Sequence, residues 1–303
     1  MIDRRAVAQH FSRAAQTYDA AAVLQQEVAS RLAERWPLLK IQPQQVMDLG
    51  AGTGFLSQHL RSYYAQAQLV AVDLSESMLQ QCRAKLAPRP AWWQKLNPFH
   101  SEPGVAFVNA DAYQLPFADN SMDMLVSSLM LQWCDDLPSV LAECRRVLKP
   151  NGVLFMASLG PDTLKEIRLA WQQVDGETAE HTLNFADLHD LGDALGRAGF
   201  SDPVCDVEHI TLTYADAPAA LKDLKAIGAT NASGQRQKGL MGKAKWQAFL
   251  AAYAQQAMPD GRIPATFEVV YAHAFIAEHK GSTERNLPQT ASIPISAIKR
   301  WQG

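Results

Sequence analysis

Three glycines and three aspartates within the first 111 residues have types and spacings that could hold a ligand. Gly50, Gly52 and Gly54 alternate in VMDLGAGTGF (residues 46–55), behind an apolar run and ahead of a helix-like sequence. Glycine at such a turn lets the backbone bend tightly and lets a ligand approach with no Cβ in the way. Asp48 precedes the first glycine by two positions, Asp73 closes the apolar run LVAVD, and Asp111 follows VAFVNA. The dinucleotide spacing G-x-G-x-x-G would need Gly or Ala at position 55, where Phe55 stands, so nicotinamide chemistry is disfavoured. A carboxylate beside the turn also repels phosphate and suits a ligand that carries positive charge. Taken singly, Asp48 could cap the following turn and Asp73 could N-cap a helix starting near Ser75. Three such elements in order on successive strand ends point instead to a ligand site.

The pattern that does fit, D-x-G-x-G-x-G from Asp48 to Gly54, resembles the class I methyltransferases that bind S-adenosylmethionine (SAM). The resemblance implies an α/β fold, a Rossmann-like sheet ending in an antiparallel hairpin. It implies that the turn of Asp48, Gly50, Gly52 and Gly54 holds the methionine part of SAM, whose sulfonium and ammonium favour a nearby carboxylate. Asp73, nineteen residues after Gly54, would accept from both ribose hydroxyls. Asp111 would accept from the adenine amino group, with the backbone of Ala112 against the ring and Leu115, Pro116 and Phe117 forming the turn that follows. The same family pattern adds Leu74, Met78 and Leu129 to the cofactor contacts.

For the methyl acceptor, the sequence first excludes. The segment SSLMLQWCDDL lacks the [ND]-P-P-[YF] tetrad of nucleobase amine methylation, and Cys134 follows Trp133 rather than the proline of a pyrimidine C5 nucleophile. Asp135 and Asp136 are adjacent, but a helix cap is a simpler role for them than metal ligation. The segments HFSRAAQTYDAAAVLQ, LMLQWCDDLPSVLAECRRVLKPNG, AWQQVD and LKAIGATNASGQR are similar to those of the malonyl-acyl-carrier-protein O-methyltransferases of biotin biosynthesis, over about residues 5–277. That resemblance implies methylation of the free carboxyl of a malonyl thioester, on acyl carrier protein or coenzyme A. Such a carboxylate is already ionised, so positioning and desolvation replace a general base. Tyr18 in QTYD, and Gln132 and Trp133 after the fourth strand, are the candidates to face the reacting groups. GLMGK also resembles the SAM-binding complex I assembly factors, a reading without malonyl methylation. A quinone-pathway methyltransferase would call for a more apolar cap.

These residues need elements to position them. Apolar periodicity predicts helices over 3–16 and 22–36, then strand 45–49, helix 54–65, strand 68–73, helix 75–86, strands 105–109 and 122–127, helix 137–147, strand 152–158 and helix 162–174. Helix 185–198 and strands 204–213 and 267–278 follow, and the alternation argues for a mainly parallel doubly wound sheet. We expect a helical lid over 1–36, a core over 37–213, a helical insertion over 214–266, a last strand over 267–278 and a flexible tail over 279–303. The proline-rich loop at 87–104, with Trp92 and Trp93, reads as surface. From Tyr214 to Pro264 seven basic residues face three acidic ones, whereas the chain as a whole carries −3. A basic insertion on an acidic body suits an acidic carrier protein, with Arg236, Lys238 and Lys243 as docking candidates. The overall charge gives no field for nucleic acid, and the absence of a long apolar run gives no membrane span. Four scattered cysteines without metal spacing suit a reducing cytoplasm, and no metal is expected.

Overall fold

The computed structural model describes residues 4–87, 104–176, 185–226 and 242–278. The loop with Trp92 and Trp93, the candidates Arg236 and Lys238, and the expected tail all lie outside these residues. Strands β1 (Gln45–Leu49), β2 (Gln68–Asp73), β3 (Val105–Asn109), β4 (Met122–Ser128) and β5 (Leu148–Leu159) pair in parallel. β7 (Ile263–Phe275) runs antiparallel between β5 and β6 (Ser201–Tyr214), which gives the seven-stranded order β3-β2-β1-β4-β5-β7-β6. β1 and β4 are adjacent although β2 and β3 lie between them in the chain, so the crevice above their carboxyl ends is the switch point of the sheet.

The central strands are apolar on both faces because helices cover both. On one face Val46, Met124, Val126 and Phe155 join Leu24, Val28 and Leu32 of α3 (Val23–Glu34) and Leu56 and Leu60 of α4 (Phe55–Tyr63). On the other, Met47, Leu49, Leu125 and Leu154 meet Val140, Leu141 and Val147 of α6 (Leu137–Val147) and Leu191 and Leu195 of α8 (Leu188–Arg197). The period of two along β1 thus decides that Val46 and Met47 serve different cores. Two of the helix starts next to the sheet's carboxyl end are set by side-chain caps: Ser75 accepts from the Met78 amide at 3.3 Å to open α5 (Glu76–Leu86), and Asp136 accepts from the Ser139 amide at 3.1 Å to open α6.

Ahead of the sheet stand α1 (Arg4–Ala14), the short α2 (Tyr18–Ala21), which periodicity does not reveal, and α3. Between β6 and β7 the described residues form α9 (Ala217–Ala226) and α10 (Lys243–Ala254). α10 packs on α7 (Lys165–Asp175) through Phe249 stacked on Trp171, ring centroids 4.0 Å apart. β7 begins four residues before the apolar run at 267, because Ile263–Thr266 pair with β6 out to Tyr214.

Candidate active site

A cavity of about 460 Å³ opens over the carboxyl ends of β1 to β4. Asp48, Gly50, Gly52, Asp73, Leu74, Met78, Asp111, Ala112 and Leu129 line it, as do Tyr18, Gln132 and Trp133. Gly54 does not, and Lys243 is exposed at the start of α10 away from the cavity wall.

The three glycines have three different reasons. All have positive φ (78° at Gly50, 55° at Gly52 and 93° at Gly54), a region that suits glycine. A Cβ at Gly50 would stand 2.4 Å from Met130 Cγ, and one at Gly54 2.7 Å from Cys82 Sγ. Those two admit neighbouring side chains of the protein itself. A Cβ at Gly52 would meet nothing within 4 Å, so this glycine alone leaves open space, on the cavity wall. The turn is fastened to β2, since Gly50 and Ala51 both donate to the Val72 carbonyl, at 2.8 and 2.9 Å.

The carboxylates differ as sharply. Asp48 is buried under the turn and accepts a 2.5 Å hydrogen bond from Ser57 Oγ. Burial pushes its carboxyl up to about 7; the Ser57 hydrogen bond opposes the shift and the charge of Asp73 adds to it. Asp73 accepts from the amides of Gly52 at 2.8 Å and Ser75 at 2.7 Å, one on each oxygen, and burial raises its pKa against these donors. Each of its oxygens keeps lone-pair capacity toward the cavity. Ser75, not Asp73, is the helix cap; Asp73 orders the turn in front of it. Asp111 pairs with Arg4 at 2.7 Å and accepts from the Tyr113 amide at 3.1 Å.

After β4 the backbone turns through Leu129 at φ 50°, an uncommon conformation for a branched side chain. Its amide donates to the Ala157 carbonyl at 2.8 Å, and its own carbonyl accepts from Gln132 Nε2 at 2.7 Å. Gln132 Oε1 is buried with no hydrogen-bond partner, an acceptor without a donor on the cavity wall. The Trp133 ring meets Phe11 edge-on at 5.4 Å, and Phe11 meets Tyr18 at 6.2 Å. An aromatic row therefore links the segment before the sheet to the turn after β4. Burial, then Asp73 and Asp19, raise the Tyr18 phenol pKa, so Tyr18 offers a neutral hydroxyl and no base.

Several contributors are not among the candidate site residues. Arg4, Ser12 and Asp19 fasten the N-terminal helices to Asp111, Ser75 (2.9 Å between hydroxyls) and Thr53. Phe11 and Gln25, whose Oε1 is also unpartnered, look in sequence like positions on amphipathic helices. Beyond the strand ends the cavity wall is mostly apolar, with Leu24, Leu159, Ile167, Trp171, Leu221 and Trp246 from helices and strands far apart in the chain. Cys134 lines the cavity too, and burial pushes its thiol up to about 12, which leaves it inert as a nucleophile. Asp162, His209 and Glu268 bring ligand atoms within 4.8 Å of one another, but outside this wall.

The cavity fits SAM on its own terms. Gly52 leaves room, Asp73 offers two oxygens, Asp48 favours a cation, and Gln132 Oε1 lacks the donor that an ammonium would bring. Residues 47–156 match the methyltransferase domain family. The malonyl-[acyl-carrier protein] O-methyltransferase of Gallionella capsiferriformans is 48% identical over 275 residues, 91% of each chain. Its namesake in Laribacter hongkongensis is 50% identical over 273 residues, covering 90% of this chain and 89% of that one. The YcgJ protein of Bacillus subtilis shares the fold, with a TM-score of 0.55 at 14% identity over 82% of this chain and 98% of the other. The chain belongs to the malonyl-[acyl-carrier protein] O-methyltransferase family.

Proposed function

We propose that the protein methylates the free carboxyl of a malonyl group carried on acyl carrier protein, the step that disguises malonate as a primer for the pimeloyl chain of biotin. The observation that carries this reading is the mixed lining of one cavity. Three carboxylates at or just past strand ends line it together with apolar side chains from α3, α7, α9 and α10. SAM, when bound, supplies an electrophilic methyl group, and the acceptor carboxylate takes it without giving up a proton.

The protein's own work is then to bind, orient and exclude water. Asp73 and Asp111 are the ribose and adenine partners, Asp48 biases the turn toward a cation, and Gly52 gives room. Leu74, Met78, Ala112 and Leu129 frame the cofactor. Gln132 holds the Leu129 carbonyl in place and keeps an acceptor free on the cavity wall. Tyr18, Phe11 and Trp133 close the cavity from the N-terminal side and keep water from the reacting oxygen. No base is required, which agrees with a neutral Tyr18 and an inert Cys134.

Residues 1–36 act as the lid on the core, and the insertion between β6 and β7 receives the carrier protein. Lys243, together with Arg236 and Lys238, supplies the basic docking face. We place the reaction in the cytoplasm, where the four free cysteines stay reduced. Among the described residues no helix is long and apolar enough to cross a membrane. A SAM-binding assembly module without malonyl methylation is disfavoured by relatives that carry the methyltransferase name over nine-tenths of the chain. The test is transfer of labelled methyl from SAM to malonyl carrier protein, with free malonate beside it as a control.

A further inference from the structure

We infer that Lys225 holds the free carboxylate of the acyl acceptor, and that loss of this contact on methylation is how the enzyme tells product from substrate. The inference rests on the proposed malonyl methylation. The charged side chains that line the cavity among the described residues are Asp48, Asp73, Asp111, Arg4 and Lys225. The three aspartates stand at the ends of β1, β2 and just past β3, and Arg4 is committed to Asp111 at 2.7 Å. Lys225 remains. It sits in the last turn of α9, four positions after Leu221, so helical spacing puts it beside Leu221 on the face that lines the cavity. No carboxylate of the described residues lies within ion-pair distance of it.

An anionic acceptor loses hydration as it enters a wall built of Leu24, Ile167, Trp171 and Trp246. An unpaired carboxylate there is costly, and one ammonium offsets that cost. The side chain of Lys225 is exposed, so its long stem can reach from the rim while the head stays partly hydrated. Methylation turns the carboxylate into a neutral ester, the ion pair vanishes, and the product loses the contact that drew the substrate in. Lys225 moves no proton in this scheme; it is a specificity residue.

The experiment measures the Kd of malonyl carrier protein and of its methyl ester, both with S-adenosylhomocysteine present, for wild type and Lys225→Met. The wild type should bind the malonyl form about tenfold or more tightly than the ester, the size of one charge-assisted contact. In Lys225→Met that preference should shrink to less than about threefold, with the ester Kd unchanged, and Lys225→Arg should keep most of it. Equal weakening of both ligands would assign Lys225 to the pantetheine arm or the carrier protein. No change, or equal wild-type affinities, would remove it from recognition altogether. Methyl transfer by the wild type, run alongside, separates the two claims. If no methyl is transferred, the reaction itself is wrong; if transfer occurs and the preference survives Lys225→Met, only this assignment fails.

Discussion

Asp19 Oδ1 accepts a 2.6 Å hydrogen bond from the Thr53 hydroxyl, which joins the helices before the sheet to the middle of the glycine turn. Lys85 locks the pair, 2.7 Å from Asp19 Oδ2 and 3.0 Å from Thr53 Oγ1, with its ammonium 3.8 Å from the Phe55 ring centroid. The helices proposed as the lid are therefore tied to the glycine turn proposed to hold the cofactor. Asp19→Ala should weaken SAM binding about three- to tenfold, the scale of one partly exposed charged network. Stopped-flow release should show the loss as faster dissociation; an unchanged off-rate would detach the lid from cofactor retention.

The Asp48 carboxyl gives a pH signature. Its folded pKa of about 7 lies above the value near 3.8 of the free side chain, so the folded state binds the extra proton. Stability without ligand should accordingly fall as pH rises from about 4 to about 7, by a few kcal/mol at most. Asp48→Asn should flatten that slope in chemical denaturation. A cationic ligand favours the ionised form, so calorimetry should find SAM binding strengthening between pH 6 and 8 in the wild type but not in the Asn variant.

The glycines should separate in kind. Gly50→Ala and Gly54→Ala force a methyl group against Met130 and Cys82, and each should cost about 1–3 kcal/mol in stability. Gly52→Ala meets no neighbour and should cost only the ~1 kcal/mol of its backbone conformation. Its loss should appear in SAM affinity instead. Thermal melts and titrations on the three variants read these two quantities side by side.

Much of this frame is legible in the sequence. The apolar runs set β1, β2 and β3 at the bounds that the structure shows, and Asp136 marks the start of α6 as a cap should. The order of Asp48, Asp73 and Asp111 along the chain becomes their order on adjacent strand ends. What each glycine admits is not legible, because Met130 and Cys82 reach the turn only through tertiary packing. Phe11, Gln25 and Lys225 lie in segments that carry the family resemblance, but their place on the cavity wall is hidden for a related reason: on an amphipathic helix, a residue that faces a cavity follows the same spacing as one that faces a core. The short α2 has one turn and no period to detect.

The proposed docking residues yield a kinetic split. Charge reversal at Lys243 or Arg236 should raise KM for malonyl carrier protein several-fold, more at low salt than at high salt. The value for malonyl-pantetheine, which brings no acidic protein, should stay put. A matching rise for both acceptors would place these residues in the acyl site rather than at the carrier surface.

The most direct measurement is transfer of labelled methyl from SAM to malonyl carrier protein, followed by identification of the methylated atom by mass spectrometry. The proposed function predicts a methyl ester on the free malonyl carboxyl, formed readily with the carrier protein and poorly with free malonate. SAM binding with no ester on any malonyl thioester would contradict it.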